Sequence, residues 1–264
     1  MRFAFVLLLG ILATAARAED SLLSRVDVES RLGRPVPLDA EFLDETGRRV
    51  RLGDLFEGKP LLLVPVYYRC PMLCGLVSRE VAKTLAVLGL EAGRDFGVVF
   101  FSFDPSETPE QARKKKDEVL SFARSAGSPD GWKFLVGDRN AVERLTEAIG
   151  FRYAYDAARG EYAHAAVVLV LTPQGRVSRY FFGVEFPPKD LRLALVEASG
   201  GAIGTFVDSV LLYCYRYDPS TGRYSLVVLR SLRAAALGTL AVLGVFLVRA
   251  WRREREPGGR GASG

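Results

Sequence analysis

Histidine and cysteine are scarce in this chain, with one and three respectively among 264 residues. His164 is the only imidazole, so a zinc site that takes its fourth ligand from a second histidine is excluded. The C-x-x-C spacing of classical thiol–disulfide oxidoreductases is missing, and no proline stands among Ala163-His164-Ala165-Ala166 ahead of Val167. No repeat or long linker interrupts residues 35–200, so this stretch reads as one domain. Surplus charge is absent once the ends are set aside. Of the formal +5, Arg2 and Arg17 contribute two, and the tail from Arg249 (Arg249, Arg252, Arg253, Arg255 and Arg260 against Glu254 and Glu256) a net three. Residues 19–248 are left neutral, and nothing argues for the basic face of a nucleic-acid binder. Charged residues make up 25% and hydrophobic ones 49%, which excludes a disordered or collagen-like chain.

Both ends of the chain point at a membrane. Phe3–Ala16 is an apolar run behind Arg2, followed by Ala16-Arg17-Ala18, the layout of a secretory signal peptide cleaved after Ala18. It is short for a spanning helix, which needs about 20 residues. At the other end Ala234–Val248 carries no charge, and extension back to Leu226 meets only Arg230 and Arg233, which can snorkel to the interface. The arginines from Arg249 onward then face the cytoplasm by the positive-inside rule. A cleaved signal and a cytoplasmic C-terminus agree, and both place residues 19–225 outside.

Between the ends, residues 19–34 read as an approach segment. Glu41–Asp44 and Arg48–Leu52 flank the turn Glu45-Thr46-Gly47, a hairpin. Pro60–Tyr68 is an unalternating apolar run, as expected of a strand buried on both faces, although Pro65 is awkward inside it. Met72–Leu88 has the stripe of a helix. A second buried strand at Phe96–Phe103, a helix at Thr108–Ala123, a strand at Trp132–Val136 and a helix at Asn140–Ile149 follow. Lys114–Lys116 reads as a solvated face. Val167–Leu171 and Val177–Phe182 flank a turn as a further hairpin, and Pro188–Ala198 closes as a helix. Strand–helix alternation of this kind means an α/β sheet with helices on its faces.

Cys70 and Cys74 straddle a strand-to-helix junction with C-x-x-x-C spacing. Positions four apart share one helix face, so both thiols point the same way. They meet a helix N-terminus, whose partial positive charge favours thiolate. Open α/β sheets place ligand sites at the carboxyl ends of strands. Two thiols there can bind a soft metal or close a disulfide, although a disulfide across so short a loop stabilises little. His164 stands just ahead of Val167–Leu171, a strand that can lie beside 60–68. Cys70, Cys74 and His164 then form a soft three-ligand set that suits copper.

The run VPVYYRCPMLCG at 64–75 resembles the metal-binding segment of the Sco/SenC family, copper proteins with a thioredoxin-like fold that serve cytochrome c oxidase assembly. Cys70, Pro71 and Cys74 match the family's Cys-Pro-x-x-Cys, and His164 matches its later histidine. FFSFDPSETPEQARKK at 100–115 and VLVLTPQGRVSRYFFG at 168–183 resemble further family segments, so the likeness covers about residues 35–198. Gly75 stands where the family usually has a second proline, and Ala163 where it often has an aspartate that can orient the imidazole. Asp104 matches a family position near the site, but beside Pro105 it reads as a turn cap. Cys214 falls outside the likeness and reads as an inert buried thiol, with an intermolecular disulfide or an extra copper ligand as alternatives.

The resemblance implies a thioredoxin-like α/β domain with an N-terminal hairpin extension. The sequence adds one C-terminal transmembrane helix at 226–248, a juxtamembrane segment at 201–225 and a cytoplasmic tail at 249–264. The expected function is that of a periplasmic Cu(I) metallochaperone on the bacterial inner membrane. Its partners would be an oxidase subunit that carries a copper site and a second copper chaperone, with no nucleic acid. A thiol–disulfide oxidoreductase that keeps the subunit's cysteines reduced is the alternative. A thiol peroxidase, with Arg69 beside a reactive Cys70, is a third reading.

Overall fold

The computed structural model describes residues 25–203, except 72, 124 and 125, and beyond them only 217, 218, 223, 224, 237, 239 and 243. The expected signal peptide, Cys214, the tail and nearly all of the expected membrane helix lie outside the described residues. Among the described residues no helix is long and apolar enough to cross a membrane. The chain divides into two units, Met1–Tyr215 and Arg216–Gly264. In the second, Tyr217–Asp218 pairs antiparallel with Arg223–Tyr224.

In chain order the first unit contains β1 (Asp27–Val28), the hairpin of β2 (Glu41–Leu43) and β3 (Arg49–Arg51), β4 (Leu61–Val66) and α1 (Leu73–Ala86). Then come β5 (Gly97–Ser102), α2 (Pro109–Leu120), β6 (Trp132–Leu135), α3 (Arg139–Ala148) and β7 (Phe151–Arg152). The hairpin of β8 (Ala154–Asp156) and β9 (Glu161–Ala163), the hairpin of β10 (Val167–Leu171) and β11 (Val177–Phe182), and α4 (Pro188–Ser199) complete it.

The central sheet has the order β11-β10-β4-β5-β6, with β4, β5 and β6 parallel and β10 antiparallel to both its neighbours. Every residue of β4 and β10 is buried, which explains why neither shows polar alternation. Helix starts follow local chemistry. Thr108 and Gln111 form a reciprocal capping box ahead of Pro109 in α2, and the Asp138 carboxylate caps α3 by accepting from Ala141 N–H.

Pro65 is accommodated by a ladder that ends early. Even-numbered β4 residues turn their carbonyls to β5, as Gly97 N–H to Pro60 O (3.0 Å) and Phe103 N–H to Val66 O (2.9 Å) show. Odd-numbered residues therefore face β10, where pairing runs from Leu61–Leu171 to Leu63–Leu169 and stops. The next partner would be Pro65, which has no N–H to donate. Beyond that point the chain ahead of β10 parts from β4, staying bonded on its other side, where Gly183 N–H donates to Ala166 O at 3.0 Å.

Two expectations need correction. The lysine run is not simply a solvated face, because the side chains of Lys115 and Lys116 are only 11% and 12% exposed. Lys116 reaches the buried Glu45 carboxylate at 2.6 Å, and that carboxylate also accepts from Phe134 N–H. The stretch read as an approach segment is built into the fold from Asp27 onward. β1 pairs with β7, and Glu29 N–H donates to Gly150 O at 2.8 Å. Gly150 has φ +67°, and a Cβ there would strike the Glu29 carbonyl, so glycine permits this close approach.

Candidate metal centre

β4 ends at Val66, and Tyr67-Tyr68-Arg69 lead to Cys70, whose N–H closes a turn onto Tyr67 O at 3.2 Å. Cys70 precedes α1, whereas Cys74 lies in its first turn. The Cys74 N–H donates to Cys70 Sγ at 3.3 Å, so the first sulfur takes up one of the donors that a helix start leaves without a partner. This bond, rather than a continuous helix, turns both thiols the same way. Cys70 is half-buried and Cys74 is 2% exposed.

His164 follows β9, at the amino end of β10, and the antiparallel pairing of β10 with β4 brings that end to the carboxyl end of β4. Its Nδ1 lies 3.0 Å from the Ala165 carbonyl, which can only accept, so the neutral tautomer that satisfies this contact carries its proton on Nδ1. Nε2 then directs its lone pair at Cys74 Sγ, 3.3 Å away. Phe103 (ring centroids 5.1 Å), Tyr67 (5.9 Å, edge-on) and Phe151 (6.2 Å) enclose the imidazole. Cys70 Sγ, Cys74 Sγ and the His164 nitrogen all lie within 4.8 Å of one another. The three residues singled out from sequence are thus brought together, with two sulfurs and one ring nitrogen converging as a soft metal requires.

The electrostatics depart from expectation at Cys74. A helix N-terminus alone would favour thiolate, but burial pushes this thiol well above its ordinary value, and the Cys70 sulfur beside it adds to the shift. Desolvation outweighs the helix dipole because the group is almost wholly removed from water. Burial likewise pushes up the Tyr67 hydroxyl, which also hydrogen-bonds Cys70.

A second polar cluster adjoins Cys70. Arg69 Nη2 donates to Asp104 Oδ2 (2.7 Å) and Ser106 Oγ (2.6 Å), and its Nε lies 3.5 Å from Glu107 Oε1. A peroxidase needs that guanidinium at its thiol, whereas here two carboxylates engage it. Asp104 caps its turn as expected, accepting from Ser106 N–H at 2.9 Å, and holds Arg69 as well. Sequence reasoning missed Glu107, Tyr67 and the β8–β9 hairpin that delivers His164. The hairpin left a signal, since aromatic rings alternate at Phe151, Tyr153 and Tyr155 ahead of the turn Asp156–Gly160.

A candidate electron transfer protein from Aquifex aeolicus VF5 is 30% identical in sequence, with a TM-score of 0.57; the match covers 65% of this chain and 95% of that one. Arabidopsis thaliana ScoI, solved with copper bound, shares the fold at 17% identity and a TM-score of 0.50, over 64% of this chain and 98% of its own. No curated protein sequence matches the chain. The family model described as SCO1/SenC matches residues 33–197, a span that holds Cys70, Cys74, His164 and the whole central sheet. This chain belongs to the SCO1/SenC family.

Proposed function

We propose that this protein is an exported, membrane-anchored carrier of Cu(I) that serves assembly of the copper site of cytochrome c oxidase. The observation that carries this reading is the convergence of two sulfurs and one imidazole nitrogen within 4.8 Å. Such a donor set fits a soft, low-coordinate ion, and with a single histidine in the chain it fits zinc poorly. Copper is cargo here. The half-buried Cys70 meets solvent and is the ligand from which exchange to a thiolate-rich subunit begins, while Cys74 and His164 hold the ion from the buried side. Cys74 must give up its proton as the ion arrives, so uptake is coupled to proton release. A signal peptide at 1–18 and an anchor helix at 226–248 would put the domain in the bacterial periplasm, where oxidase subunits and a second copper chaperone would meet it.

The test is the copper content of the full-length chain, prepared under reducing conditions. One Cu(I) per chain is expected, with sulfur dominating its X-ray absorption. Cys70→Ser and Cys74→Ser should each abolish stoichiometric binding, and one retained copper in Cys74→Ser would refute the reading. Cys70 and Cys74, which are not joined by a disulfide, also support the thiol–disulfide reading. His164→Gln separates the two, because reductase activity needs only the cysteines and copper binding needs the imidazole.

A further inference from the structure

The three ligands are held in place by different means. Cys74 is fixed by a helix and by burial, and His164 by the rings around it. Cys70 precedes the helix and is half-exposed to solvent, with its sulfur accepting from Cys74 N–H and engaged by the Tyr67 hydroxyl. Its position depends as well on the backbone just before it, and that backbone ends on Glu107. Tyr68 N–H donates to Glu107 Oε2 and Arg69 N–H to Oε1, each at 2.7 Å. Ser102 Oγ donates to Oε2 at 2.6 Å and fixes the carboxylate's orientation. The Glu107 side chain is 0% exposed.

Buried N–H groups must find acceptors, and beyond the end of β4 a strand partner is no longer available to these two. A carboxylate that takes two consecutive amides is a stronger restraint than two carbonyls, because the bonds are charge-assisted. Glu107 is itself anchored, for it immediately precedes Thr108, the N-cap of α2. A rigid path therefore runs from a capped helix, through one carboxylate, to the residue next to Cys70.

We propose that Glu107 is the positioning residue for the Cys70 sulfur, and that it biases the thiol pair toward metal and away from the disulfide. This rests on the copper reading above. Metal binding uses the three donor atoms with the loop held as it is. A disulfide needs sulfurs about 2.05 Å apart, so closing one draws Cys70 toward Cys74 against the Glu107 bonds. With oxidised glutathione as the oxidant, the Cys70–Cys74 S–S bond forms as the glutathione S–S bond breaks. The two thiol protons then pass to two molecules of reduced glutathione.

The test is Glu107→Gln in the full-length chain. The amide keeps the shape but has one acceptor oxygen, so one loop N–H faces an NH2 group. With thermal melting as the check on folding, Cu(I) affinity, read by competition with a chelator, should fall about 10- to 100-fold. Exchange of the Tyr68 and Arg69 amides should quicken while β5 amides are unchanged, and the equilibrium with glutathione should shift toward the disulfide. A folded Glu107→Gln chain with wild-type copper affinity overturns the proposal. If the variant does not fold, Ser102→Ala frees the carboxylate's rotamer, and undiminished copper affinity there is equally decisive against it. Absence of copper from the wild type would refute the copper reading instead. In that case a glutathione equilibrium unchanged by Glu107→Gln would overturn the role of Glu107.

Discussion

His164 combines a ligand's exposed lone pair with the burial of a core residue. The sequence placed it just ahead of a strand, and in the fold the residue is 5% exposed and packed edge-on or tilted against Phe103, Tyr67 and Phe151. Truncation therefore removes packing as well as a nitrogen. His164→Ala should destabilise the metal-free chain by about 1–3 kcal/mol, measured by denaturant unfolding, and an unchanged midpoint would show that the ring carries no packing load. Cys74 teaches the same lesson. Its sequence context argues for a thiolate, yet the water it loses on folding decides against one. Both residues were legible as candidate ligands, because residue type and strand context sufficed, and the structure brings them together. The burial of His164 depends on rings 61 and 13 residues away in sequence, Phe103 and Phe151, whose proximity no local pattern announces.

Two elements carry sharp expectations. Gly75 lies in the first turns of α1, and a Cβ added there would meet nothing within 4 Å. Gly75→Ala should stabilise the chain by about 0.5–1 kcal/mol through helix propensity and leave copper binding intact; a loss of either in thermal melts or copper titration would count against the open space. In the β2–β3 turn, the Asp44 carboxylate accepts from Thr46 N–H, Thr46 Oγ and Arg48 N–H. Burial pushes its pKa up, but the Thr46 hydroxyl, these amides and the Arg48 charge together hold it below the usual value. The folded pKa is thus lower than the unfolded one of about 3.9, so the contribution is present above pH 4 and lost as pH falls through the folded value. Asp44→Asn should lower the urea midpoint at pH 7 and flatten its decline below pH 4. An equal loss at both pH values would remove the carboxylate's charge from the explanation. Strand and helix positions were readable from periodicity and turn residues, whereas β1, β7, β8 and β9 were not. Their two- and three-residue runs are too short to show a period.

For the molecule as a whole, the functional reading requires a topology. An apolar N-terminal run ending in Ala16-Arg17-Ala18 and an arginine cluster at 249–255 together predict a domain outside the cytoplasm and a C-terminus within it. A reporter active only outside the cytoplasm should be silent when fused to Gly264 and active when fused after Ala202. Activity at Gly264 would overturn the proposed anchoring.

The sequence by itself determined the sheet's buried strands, the helix caps, the C-x-x-x-C pair and the identity of the one imidazole, because each is written in neighbouring residues or in a count. Only the tertiary structure decided that His164 Nε2 would stand 3.3 Å from Cys74, since those residues are 90 apart and meet only through the pairing of β10 with β4. It also decided that the Cys70 loop would hang on Glu107, a residue that in sequence is merely the one before a helix cap. The physical reason is common to both. Hydrophobic period and capping are local, but the loss of water around a polar group, and the partner that must replace it, are set by whatever the fold brings alongside.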